Sequence, residues 1–166
     1  MEDRGVVPGN VGSLDDVPGN GAGAGGFSEE EVREQAANNA AVWPLAFLAY
    51  ARALGQDPEA AAREFGRLVA PSWDEEQGTG ARSALRWAAL NAVVGGAELR
   101  RLGGDAARAE AVLGGGPGAE DLAFFGLARA EADAFYGYLH PVAARLGLRF
   151  SWRRDGDEVV LSLERA

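Results

Sequence analysis

Up to Ser28 the chain carries no sustained apolar pattern. Residues 1 to 27 are dominated by glycine, asparagine, proline and aspartate, and Val7-Pro8-Gly9-Asn10 recurs as Val17-Pro18-Gly19-Asn20. So little apolar surface cannot offset the entropy of ordering, which predicts a disordered tail. Beyond it a helical period sets in, with Val32, Ala36, Trp43, Phe47, Tyr50 and Leu54 near helical spacing. Ser28 and Glu31 have the spacing of a capping box, and Gly55 ends the element. Pro44 removes one amide donor inside the run, which predicts a kink at residues 39–43 or two helices meeting there.

Asp57-Pro58-Glu59 opens a second helix, expected to bury Phe65, Leu68 and Val69 and to stop near Ala70 before Pro71. Ser72-Trp73-Asp74-Glu75 repeats the capping pattern and predicts a short helical turn. A third long helix is expected from Ala81 to Leu102, closed by Gly103-Gly104, and a brief fourth from Asp105 through Leu113. After a Gly/Pro loop at 114–118, the last long helix runs from Ala119 to His140 and on to Leu146, kinked by Pro141.

Period-two alternation emerges only at the C-terminus, in residues 148–152 and 159–163. With Asp155-Gly156 as the two turn residues, Trp152 faces Val159, Phe150 faces Leu161 and Leu148 faces Leu163, all on one side. Arg153 then falls opposite Glu158, an attractive pair. The expected fold is α+β and mainly α. About five helices form an irregular bundle over residues 28–166, with an antiparallel hairpin at 148–164 packed on them. A hairpin alone is marginal. Its free edges leave open a homodimer through strand pairing, beside the plainer outcome of packing on the helices.

Composition narrows the chemistry. The chain has 166 residues, of which 47% are hydrophobic and 25% charged, suited to one soluble domain. A net charge of −9 lacks the basic footprint of a nucleic-acid binder and disfavours anionic membrane surfaces, so neither partner is expected. No basic flank precedes an apolar run, and Arg86, Asn91 and Glu98 interrupt Ala84 to Leu99, so the expected location is the cytoplasm. There is no cysteine and no lysine, and His140 is the one histidine. That excludes thiol nucleophiles, Schiff-base lysines and Cys/His metal cages, and no metal or cofactor is expected. The glycines at 21–26 lack the strand context and the lysine of a phosphate loop.

His140 is the natural acid/base candidate, because it alone titrates near neutrality without help. On a continuous helix Asp133, Tyr136 and His140 share one face, at spacings of three and four, with Glu131 as a second carboxylate. The competing reading is a helix-end histidine suited to the dipole. Polar residues inside apolar runs form the second constellation. A pocket lined by Trp43, Phe47, Trp87 and Phe124, with Asn39, Asn91 and Glu98 as polar contacts, has the anatomy of a small-molecule site. The same groups can equally satisfy one another or face solvent.

The stretch from Asn38 to Trp73, with Trp43, Ala53-Leu54-Gly55, Glu59-Ala60-Ala61 and Trp73, resembles helical proteins grouped around the aminothiazoline carboxylate hydrolases. It holds no catalytic motif, no residue role is carried over, and cysteine chemistry is excluded by composition. The expected function is a binding or interaction module, holding a small, largely apolar ligand between helices or a second copy of itself. The alternative is a small hydrolase or isomerase using His140 with a nearby carboxylate.

Overall fold

The computed structural model describes residues 26–73 and 79–166. The expected tail therefore falls almost wholly outside the described residues, as does half of the helical turn expected over Ser72 to Glu75. The described chain is α+β, with helices packed on a four-stranded antiparallel sheet made of two hairpins.

Helix α1 (Glu29–Ala53) starts on the expected capping box. Ser28 Oγ accepts from the Glu31 amide at 3.2 Å, and the Glu31 carboxylate accepts from the Ser28 amide at 2.7 Å. The Ser28 amide, and the Ser28 hydroxyl donating at 2.8 Å, hold the Glu31 carboxyl below its usual range. Pro44 lies inside this one helix without ending it, because the turns beyond it are anchored by buried Leu45, Leu48 and Ala51. The buried face is thus not the expected one: Val32, Trp43, Tyr50 and Leu54 all face solvent.

Helix α2 (Pro58–Val69) is capped by Asp57, whose side chain accepts from the Ala60 amide at 2.8 Å. It buries Ala61, Ala62 and Gly66, whereas Leu68, expected in the core, is 73% exposed. Close approach explains the choice of face. A β-carbon at Gly66 would collide with the Tyr138 carbonyl oxygen and stand 2.6 Å from Pro141 Cγ. A 3-10 turn at Ala70–Ser72 follows.

Helix α3 (Ala81–Val94) begins where expected but stops eight residues early, at Gly95-Gly96. The next segments, expected as helix to Leu102 and again from Asp105 to Leu113, are strands β1 (Ala97–Gly104) and β2 (Arg108–Gly115). Their residues favour helix by propensity, and strand pairing overrides it. A bulge between Leu99 and Arg101 puts Leu99 opposite Leu113 and Leu102 opposite Ala111, so two leucines three apart share one strand face. That spacing imitates a helix.

The expected last long helix is broken into α4 (Ala119–Phe125), α5 (Arg129–Asp133), a 3-10 turn at Ala134–Tyr138 and α6 (Leu139–Arg145). Gly126, at φ +64°, ends α4 in the left-handed conformation. Arg52 at the end of α1 clamps this corner, donating to the Gly126 carbonyl at 2.6 Å and pairing with Glu131 at 3.4 Å.

Strands β3 (Leu148–Asp155) and β4 (Glu158–Arg165) form the expected hairpin, with the turn one residue later. Asp155 closes on Glu158 around Gly156-Asp157, so Trp152 faces Leu161, Phe150 faces Leu163 and Leu148 faces Arg165. Each partner has moved by two residues, which keeps the face and changes the neighbour. Arg153 accordingly faces Val160, and Glu158 pairs instead with Arg100 at 3.0 Å.

The strand order is β1-β2-β4-β3. The main core lies between one face of the sheet and α3 and α6, and contains Leu85, Leu113, Leu139, Val142, Phe150 and Leu161. A smaller cluster, Leu45, Leu48, Leu122, Leu127 and Ala132, joins α1 to α4 and α5. Among the described residues no helix is long and apolar enough to cross a membrane.

Candidate functional site

The two cores do not close on each other. Between them lies a cavity of about 130 Å³, reached by Leu45 of the smaller cluster and by Ala88 and Leu139 of the larger. Its walls are short: Ala40 and Ala41 of α1, Ala88 and Ala92 of α3, and Gly95, Ala97, Gly115 and Gly116 around the first hairpin. These alanines and glycines leave volume that no side chain fills. An apolar cavity of about 150 Å³ is enough to hold a benzene ring.

One end is polar. Asp133, at 5% exposure, is the buried charged residue of the core, and it accepts both its hydrogen bonds from Arg154. Arg154 Nη2 donates to Oδ1 at 2.6 Å while Nε donates to Oδ2, a bidentate pair. The third arginine nitrogen, Nη1, has only a 3.4 Å contact with the Gly156 carbonyl. Arg129 lies close by. Its Nη2 donates to the Pro117 carbonyl at 2.7 Å, and its Nη1 is buried without an acceptor among the described residues. Leaving such a donor unpaired costs about 1–3 kcal/mol, and more when it is charged.

Two tyrosines complete the wall. Burial, and then the negative charge of Asp133, push the Tyr136 hydroxyl above its usual range, while Arg154 and Arg129 oppose the rise. Burial pushes Tyr138 up to about 12, against a hydrogen bond with the Asn91 side chain. Both are neutral phenols at neutral pH, and Asp133 is committed to Arg154. Among the described residues the site has donors that orient a ligand and no free general base.

Of the expected acid/base group, Asp133 and Tyr136 line this cavity and His140 does not. The face they were to share requires a continuous α-helix, and the 3-10 turn at 134–138 rotates His140 away. Its ring packs edge-on against Phe150 at 5.1 Å. Burial, then the Arg63 charge, push its pKa below the usual 6.5, with Glu59 acting the other way. Glu131, the other expected carboxylate, is held by Arg52.

Of the expected ligand contacts, Asn91 lines the cavity. Asn39 accepts from Gln35 at 2.9 Å, and Glu98 lies on exposed β1, 3.7 Å from Arg100. Trp43 and Phe124 are 68% and 83% exposed. Trp87 packs at the margin of the main core under Arg86. Phe47 stacks with Phe65 at 5.4 Å, in a group that continues through Phe135 to Tyr138.

Arg154 and Arg129 were not anticipated. Arg154 left a signal, since it continues the Leu148, Phe150, Trp152 alternation and so belongs to the apolar face of its strand. Arg129 left none. No protein-family model, no curated protein and no solved structure matches the chain.

Proposed function

We propose that this chain is a binding module that holds one small, largely apolar molecule in the cavity between α1, α3 and residues 132–139. The observation that carries the reading is the unfilled apolar space of about 130 Å³ with oriented polar groups at one end. Ligand sites combine these two features. Native mass measurement on the full chain purified from its own host tests it. A retained mass lost on substituting Ala92, which lines the cavity, by leucine is the expected result. Persistence of that mass in Ala92→Leu would place the molecule elsewhere.

The enzyme alternative needs His140 beside the ligand with a carboxylate free to act. Its neighbour Glu59 is instead ion-paired with Arg63 at 2.8 Å, so we carry the binding reading. Self-association through the hairpin remains the second proposal, supported by the position of β3 at the edge of the sheet. Because β4 lies inside the sheet, truncation after Gly147 would remove an inner strand. Ser151→Pro in β3 tests the edge more selectively, and sedimentation should show a dimer that this substitution dissociates.

A further inference from the structure

We infer that the molecule held in this cavity is an organic monoanion, a carboxylic acid whose ionised head group meets Arg129 and Arg154. This rests on the binding reading above and adds the ligand's charge and head group to it. Asp133 and Arg154 line the polar end of the cavity, and Arg129 stands behind its Gly116-Pro117 wall, bonded to the Pro117 carbonyl. Asp133 accepts both its hydrogen bonds from Arg154 and makes none with Arg129. Among the described residues Arg129 finds only a neutral partner, the Pro117 carbonyl, and its Nη1 finds none. Among the described residues Arg129 therefore has no ion-pair partner in a partly buried place, which a bound anion corrects.

The surroundings of Arg129 show how the anion would arrive. Gly116 lines the cavity at φ +94°, and a β-carbon there would have Arg129 Nη1 as its nearest non-adjacent neighbour, 3.9 Å away. The backbone at this wall thus carries no side chain between the cavity and the guanidinium. An oxygen seated beside Gly116 is the acceptor that Nη1 lacks among the described residues. Arg154 Nη1, held only by its long contact with the Gly156 carbonyl, supplies a second donor. One guanidinium without an ion-pair partner suits a monoanion, and the apolar walls suit a hydrocarbon body. A carboxylate accepts from guanidinium groups in their own plane.

Calorimetric titration of the full chain with benzoate and with benzamide, its neutral isostere, tests the inference at neutral pH. Benzoate should bind roughly tenfold or more tightly than benzamide, as expected for a hydrogen bond gaining a charge. In Arg129→Gln the two should bind alike, with benzamide affinity retained. Equal affinities in the wild-type chain, or an undiminished benzoate preference in Arg129→Gln, would overturn the inference while leaving the cavity a binding site. Silence from both probes would instead remove the binding reading and the inference with it. The wild-type comparison needs no variant, so it decides even where the substitution unfolds the chain.

Discussion

Asp133 and Arg154 hold the molecule's most consequential pair. Breaking a buried ion pair from one side strands the other charge, so Asp133→Asn should cost about 3 kcal/mol in urea unfolding. Replacing both partners with Leu and Met should recover most of that loss, because the penalty comes from the stranded charge. His140 and Tyr138 bring two pH windows. The folded-state pKa of His140 lies below 6.5, so as pH falls through that window the unfolded chain takes up a proton that the folded chain resists. Stability therefore declines on acidification, and His140→Gln should flatten that part of the profile. Tyr138 is raised from 10 to about 12, so the unfolded chain ionises first and stability falls as pH climbs through that interval. Tyr138→Phe should remove this alkaline loss. At this scale the sequence singled out Asp133, Tyr136 and Asn91, polar groups inside alanine-rich runs. Arg129 stayed hidden because it gains its meaning from Pro117 and Gly116, distant in the chain.

Where an element was marked by local chemistry, its start could be read. Ser28, Asp57 and Gly80 each precede a helix that begins within one residue of expectation. The first hairpin could not be read, because alanine, glutamate and arginine favour helix and the bulge at Arg100 hides the strand period. Residues 119–146 failed differently. Gly126 and the 3-10 turn at Ala134–Tyr138 divide an amphipathic run into short turns that tertiary packing holds. That packing is tightest where α2 crosses the 3-10 turn, and it makes Gly66 a fixed point. Gly66→Ala would press on Tyr138 and Pro141 and should destabilise the fold by about 1–3 kcal/mol in chemical unfolding. An unchanged unfolding midpoint would show that α2 and the turn can separate freely.

Across the whole molecule, short side chains set the outcome. Alanine and glycine let α1, α3 and the first hairpin approach closely, yet leave the space between the two hydrophobic clusters unfilled. Periodicity could indicate which residues are apolar, but not where two separate cores would fail to meet. The expected pocket of Trp43, Phe47, Trp87 and Phe124 missed because Trp43 and Phe124 face solvent while Phe47 and Trp87 pack elsewhere, and the cavity's open volume comes from the alanines and glycines of its walls. If that space is a site, a ligand that binds only the folded chain must stabilise it, by about 2.7 kcal/mol at a hundredfold excess over its dissociation constant. The most direct measurement is the melting temperature of the full chain against benzoate concentration, run beside Ala92→Leu, whose three added carbons occupy the cavity. The account predicts a rising, saturable melting temperature in the wild type and none in the filled variant. A flat wild-type response, or an equal rise in both, would contradict it.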